Sequence, residues 1–234
     1  MSEAPDFGKA AADYAKHRQG FPEDFFPRIA ALGCGLPDQR VLDIGTGTGL
    51  LARALAQRGC RVTGLDPNAA LLDQARRLDQ AAGVAIDYVQ ASAEATGLPD
   101  GAFDLVSAAT CWHWFDRDRA AAECARLLAP NGKLLIAQLD WHFAPGGIAS
   151  RTWQLVGRFT PASEPARGGT FLYPEWTREL MRAGLTSWEM FAYTTVLDYT
   201  PEAWRGRVRA SAGVGPVMDA ETLARLDAAL APLL

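Results

Sequence analysis

Short apolar runs and helical stripes alternate along the first 140 residues of this chain. Phe25, Phe26, Ile29, Ala30 and Leu32 recur at helical spacing, so a helix is expected over residues 21–35 with Pro22 in its first turn. Val41, Leu42 and Ile44 form a short run suited to a strand covered on both faces. A helix over 50–58 should end at Gly59, and a second strand over 61–66 is stopped by Pro67. Asn68 can cap a helix carrying Leu71, Leu72, Ala75 and Leu78. Further strands are expected over 84–90, 103–108 and 133–139, with a helix from Asp116 to Leu128 and a turn at Pro130-Asn131-Gly132. Strands alternating with helices predict an α/β chain with a doubly wound, mostly parallel sheet and helices on both faces.

The alternation stops at Asp140. Residues 140–173 hold Trp141, His142, Phe143, Trp153, Phe159 and Phe171, too many aromatics for a polar linker, and read as a partly helical, aromatic-rich lid insertion. The first 35 residues read as a helical flap, in which Tyr14 and Arg18 share a helical face beside His17. Beyond the insertion, helices are expected over 174–183, from Thr200 to about 211, and from Asp219 through Leu230, with a strand over 186–198. The whole, residues 1–234, is read as a single domain.

Composition narrows the function. A net charge of −4 gives no general attraction to nucleic acid or to an anionic membrane, and no apolar run is long enough to span one. Cys34, Cys60, Cys111 and Cys124 show no CxxC spacing and are expected to be free thiols of a reducing compartment. The N-terminus lacks the basic and apolar regions of a secretory leader, so the cytoplasm is the expected location. His17, His113 and His142 have no metal-ligand spacing, and no metal is expected.

The candidate chemistry centres on Val41-Leu42-Asp43-Ile44-Gly45-Thr46-Gly47-Thr48-Gly49, a strand running into a glycine turn with Leu50 opening a helix. Such a turn lets the backbone approach a ligand, and the amides of the following helix point to the same place. A nicotinamide-dinucleotide turn would carry Gly or Ala at residue 50, where this chain has Leu, and a phosphate-binding P-loop would carry Gly-Lys-Ser/Thr. Asp66, at the end of the second strand, suits a pair of ribose hydroxyls. Asp43-Ile44-Gly45-Thr46-Gly47-Thr48-Gly49 resembles motif I of the class I S-adenosylmethionine-dependent methyltransferases of small-molecule type, which includes the trans-aconitate methyltransferase-like branch. Gly64-Leu65-Asp66-Pro67, the loop Ala91-Ser92-Ala93-Glu94, Phe103-Asp104-Leu105-Val106 and Arg126-Leu127-Leu128-Ala129-Pro130-Asn131-Gly132 resemble the family's later motifs in order and spacing. The resemblance implies a Rossmann-like fold and S-adenosyl-L-methionine as donor, leaving S-adenosyl-L-homocysteine. It implies a cofactor site of Asp43, Gly45, Thr46, Gly47, Gly49, Leu50, Asp66, Pro67, Ser92, Ala93, Glu94 and Thr110.

The acceptor side is less defined. After the fourth strand, Ala108-Ala109-Thr110-Cys111 stands where nucleobase-amine methyltransferases carry Asn/Asp-Pro-Pro-aromatic, which argues for a small-molecule acceptor and against nucleic acid. His113 is the candidate catalytic residue, as base or orienting donor. Tyr14, His17, Arg18, Trp112, Trp114, Trp141 and His142 are candidate acceptor contacts, with Trp114 and Phe115 equally suited to stapling the next helix. An oxygen acceptor is preferred, and the chain is expected to be a monomer or homodimer. An NAD(P)-dependent oxidoreductase and a non-catalytic S-adenosylmethionine-binding protein are the alternatives. The family sheet ends in two further strands. Residues 186–198 are expected to supply the sixth and nothing supplies the seventh, so a C-terminal strand is expected to be missing relative to the family pattern.

Overall fold

Val41, Leu42 and Ile44 are apolar toward both faces, and burying each stabilises the fold by about 2 kcal/mol. They belong to β1 (Arg40–Ile44), the middle strand of the sheet. A computed structural model describes residues 16–160, 173–211 and 213–234. β1 pairs in parallel with β2 (Arg61–Leu65) on one side and β4 (Phe103–Ala109) on the other. β3 (Asp87–Val89) and β5 (Leu128–Ala137) complete a parallel sheet of order β3-β2-β1-β4-β5. The order reverses between β1 and β4, and crevices of such sheets open at the carboxyl ends of the strands flanking that reversal. The fold is α/β and Rossmann-like.

The helices lie where the sequence patterns them: α1 (Phe25–Ala31), α2 (Leu50–Ala56), α3 (Ala69–Ala82), α4 (Arg117–Leu127), α5 (Ile148–Val156), α6 (Pro174–Arg182), α7 (Pro201–Arg209) and α8 (Ala220–Leu230). Side-chain caps form at four of the expected helix starts. The side chains of Asn68, Asp116, Thr200 and Asp219 accept hydrogen bonds from first-turn amides of α3, α4, α7 and α8. One core face joins Leu42, Ile44, Leu65, Val106 and Ala108 to α4 and to Trp176 of α6. The other joins Val41, Val62 and Leu105 to α1 and α2.

The described residues divide into two compact units. One contains 20–139 and 173–192; the other contains the described parts of 1–19, 140–172 and 193–234. The second has its own core, in which Trp204, Val208, Leu226 and Leu230 pack with Ala149 and Val156 of α5.

Three expectations are corrected. No strand forms over 186–198: the segment has no ladder partner, and Trp188, Phe191 and Val196 are 54%, 44% and 83% exposed. Alternating β-formers need a neighbouring strand to become one, and the division between the units falls within this segment, after Ala192. The third strand is three residues long rather than the seven of 84–90, because only Asp87–Val89 find register partners on β2. The first helix is confined to Phe25–Ala31. The turn at Pro130-Asn131-Gly132 does form, but as a bulge within β5. The register jumps from Phe103↔Leu128 to Leu105↔Lys133, and Asn131 takes a left-handed φ of 64°.

Candidate active site at the carboxyl ends of the strands

The glycine turn after β1 is built by positive backbone angles. Gly45, Gly47 and Gly49 have φ of 62°, 58° and 76°, a region that L-residues rarely enter. Their surroundings differ. A Cβ on Gly45 would meet Cys111 Sγ at 2.9 Å and Phe115 Cζ at 3.0 Å, and one on Gly49 would meet the Tyr88 hydroxyl at 2.5 Å. A Cβ on Gly47 would meet nothing within 4 Å. Gly45 and Gly49 therefore admit packed neighbours, whereas Gly47 presents bare backbone to open space.

Two buried carboxylates flank this turn. Asp66, at the end of β2, accepts from the Gly47 amide through one oxygen and from the Asn68 amide through the other, both at 2.9 Å. Each oxygen keeps a second lone pair, which suits a pair of vicinal hydroxyls. Burial raises its pKa. Asp43 is 1% exposed, and its oxygens are taken by the hydroxyls of Thr46 and Ser107, each at 2.7 Å. Burial lifts its pKa to about 6, opposed by those two hydroxyls and reinforced by the charge of Asp66. Asp43 thus holds the turn from inside and bonds β1 to β4. Among the described residues neither acid has a cationic partner, and the turn carries no Lys or Arg. Two buried acids beside a turn without Lys or Arg suit a cationic ligand better than a pyrophosphate.

A buried network braces the turn from behind. The Arg53 guanidinium donates to Asp79 at 2.8 Å and to the Thr48 carbonyl at 2.8 Å, and the Tyr88 hydroxyl donates to the other Asp79 oxygen at 2.8 Å. Burial and the Asp79 carboxylate hold the Tyr88 phenol far above its usual range. Ser107, Arg53, Asp79 and Tyr88 carry no site motif in the sequence. The available signal was Asp79, an acid in register with Leu71, Leu72 and Ala75 on the buried stripe of α3.

At the end of β4 the chain makes an unusual turn. Thr110, a β-branched residue, has φ of 57°, a conformation that costs roughly 1–3 kcal/mol and gathers at functional sites. Its amide donates to the Ala137 carbonyl at 2.8 Å. A single 3-10 turn, Trp112–Trp114, follows. Trp112 is wholly buried and packs edge-on against Phe115, so it belongs to the core beneath the turn. His113 is exposed and lies beside the ring of Trp114, itself 47% exposed. Phe115 presses on Gly45 from the same side as Cys111, whose thiol donates to the Ile44 carbonyl at 3.2 Å.

The loop after β3 leaves Ser92 exposed and buries Ala93, while Glu94 accepts from the Asp116 amide at 2.9 Å and so fixes the loop to the start of α4. Pro67 is exposed, its carbonyl accepting from Gln90 at 3.2 Å, and Leu50 is half-buried as the first residue of α2. All the cofactor-site candidates, with Trp112, His113 and Trp114, therefore fall in the sheet-bearing unit. His17, Arg18, Trp141 and His142 fall in the other. There His17 is buried against Gly206, and Trp141 packs against Trp153 and Trp204 with Arg207 over its ring. Tyr14 lies outside the described residues. The four cysteines are reduced and buried.

Known proteins resemble this chain in sequence and in fold. Residues 42–136 match the family described as a methyltransferase domain. An uncharacterized methyltransferase of Mycobacterium tuberculosis is 32% identical over 180 residues, covering 74% of this chain and 71% of its own. A ubiquinone biosynthesis O-methyltransferase of Pseudomonas aeruginosa is 41% identical over 112 residues, 45% of this chain and 47% of its own. Among solved structures, the YcgJ protein of Bacillus subtilis shares the fold at a TM-score of 0.59 and 21% identity, covering 88% of this chain and 82% of that one. The glycine turn between β1 and α2, the acid closing β2 and this kinship agree: the chain belongs to the class I S-adenosylmethionine-dependent methyltransferases.

Proposed function

We propose that this protein transfers the methyl group of S-adenosyl-L-methionine to an oxygen of a small-molecule acceptor, by in-line displacement. The observation that carries the donor half is the pair of buried acids, Asp43 and Asp66, with no cationic partner among the described residues, beside backbone left bare at Gly47. A sulfonium nucleoside fits this donor set, with two hydroxyls for Asp66, a positive charge for the acid pair and no phosphate. When bound, it supplies a methyl already activated by the sulfonium charge. The protein's part is to orient, to exclude water and, for an acceptor that carries a proton, to remove it. Gly45, Thr46, Gly47, Gly49 and Leu50 hold the methionine portion, Asp66 and Pro67 the ribose, Ser92, Ala93 and Glu94 border the base, and Thr110 closes the crevice from β4. His113, exposed just past β4, takes the acceptor's proton.

The preference for oxygen is supported by the likeness to ubiquinone biosynthesis O-methyltransferases over the sheet-bearing half. The sequence after β4, which lacks the Asn/Asp-Pro-Pro-aromatic run, favours a small molecule over a nucleobase. The protein works in the cytoplasm as a monomer or homodimer. Thermal unfolding with S-adenosylhomocysteine and with NADH tests the donor. Ligand at about a hundred times its Kd stabilises by about 2.7 kcal/mol. Stabilisation by S-adenosylhomocysteine alone is expected, and a shift with NADH alone overturns the reading. Methyl transfer to a panel of oxygen, nitrogen and carbon acceptors, followed by mass spectrometry, tests the acceptor atom.

A further inference from the structure

Among the described residues, three side-chain polar atoms are buried without a hydrogen-bond partner: Thr48 Oγ1, Trp112 Nε1 and Gln138 Nε2. They follow β1, β4 and β5, all at carboxyl ends. Gln138 comes directly after Ala137, which pairs with Ala109 and whose carbonyl receives the Thr110 amide. Along β5, Leu135 and Ala137 face the core under α1 and α2, whereas Leu134 and Ile136 face the core under α4 and α6. Strand alternation then puts Gln138 on the α4 and α6 side, the side that also takes Trp112. An indole nitrogen only donates, and a buried N–H with no acceptor is costly. Trp112 is closed within the core, whereas Gln138, half-buried at a strand end, has an amide that a ligand oxygen would satisfy.

The position fits the acceptor rather than the donor. In the order β3-β2-β1-β4-β5, Asp66 and residues 92–94 follow β2 and β3. With strands about 4.8 Å apart, the end of β5 lies about 5 Å beyond β4 and about 14 Å from β2.

We propose that Gln138 binds the methyl acceptor, its side-chain amide donating to an acceptor oxygen. The ligand class is a small molecule bearing a phenolic, enolic or carboxylate oxygen. This rests on the methyltransferase reading above.

Calorimetry on the intact protein tests it. Wild type and Q138L are each titrated with S-adenosylhomocysteine, then, saturated with it, with catechol, 4-hydroxybenzoate and imidazole. Q138L should bind S-adenosylhomocysteine within about two-fold of wild type and bind the oxygen probes at least ~10-fold more weakly, with imidazole unaffected. Its Tm should not fall, since leucine removes an unsatisfied amide, and that separates ligand binding from a structural role. Equal affinity of the oxygen probes for both proteins, no binding of either to wild type, equal weakening of imidazole, or loss of S-adenosylhomocysteine binding in Q138L alone would each overturn the assignment. Failure of wild type itself to bind S-adenosylhomocysteine sinks the methyltransferase reading instead.

Discussion

Replacing Asp43 by Asn isolates the charge of the innermost acid. Asp43 is 1% exposed and its pKa is raised from 3.8 to about 6, chiefly by burial. The folded protein therefore holds a proton there that the unfolded chain has released between about pH 4 and 6. By linkage, the stability associated with this group is complete below pH 4, is lost as pH rises through 6, and stays lost above. The shift corresponds to about 3 kcal/mol of destabilisation at neutral pH. Asparagine keeps the shape without the charge, but one of the hydroxyls of Thr46 and Ser107 must turn to accept from its amide, costing about 1 kcal/mol. Asp43→Asn should thus be more stable than wild type by roughly 1–2 kcal/mol at pH 7.5 and indistinguishable from it near pH 4.5. Urea unfolding of both proteins across this range reads the difference directly. Glu123, whose pKa is pulled down to about 2 by Arg126, titrates below this window and cancels between the two proteins. A variant less stable than wild type at pH 7.5, or a gap that does not change with pH, refutes the argument. The same substitution should weaken cationic S-adenosylmethionine more than the uncharged thioether of S-adenosylhomocysteine.

Asp79→Ala leaves the Arg53 guanidinium, 12% exposed, with no acid, and should cost about 3–5 kcal/mol and roughly 10 °C in Tm. Tyr88→Phe, measured in the same melts, should cost only about 1 kcal/mol. Gly47→Ala strains a backbone of φ 58° but meets no atom, so it should lose about 1–2 kcal/mol and most of its S-adenosylhomocysteine affinity by calorimetry. Gly49→Ala, driven into Tyr88, should lose more stability. Thr110→Gly relieves the strained turn, so its Tm should rise while methyl transfer falls, and a lower Tm would show that the turn is unstrained.

The glycine turn was legible because its information is local. Positive φ at Gly45, Gly47 and Gly49 depends on those residues and their immediate neighbours, and Asp66 is placed by the strand it ends. Helix starts at Asn68, Asp116, Thr200 and Asp219 were readable for the same reason. Apolar runs identified β1, β2 and β4, since a strand covered on both faces has little choice of composition.

Partnerships across the sheet were not legible. Asp43 reads as a ligand-facing acid, yet the parallel register sets it opposite Ser107, far away in sequence, and its oxygens turn inward. Residues 186–198 have the pattern of a strand, but a strand needs a neighbour with free backbone groups, and none is paired with them. Trp112 reads as an acceptor contact and is a core residue, because the 3-10 turn packs it against Phe115 while exposing His113. Gln138 carries no sequence signal at all; only the pairing of β4 with β5 leaves its amide buried and unmatched. The motifs that mark the methyltransferase family were readable because their residues act within a few positions of one another. Which polar groups satisfy each other and which stay unmatched depends on contacts between segments brought together only by folding.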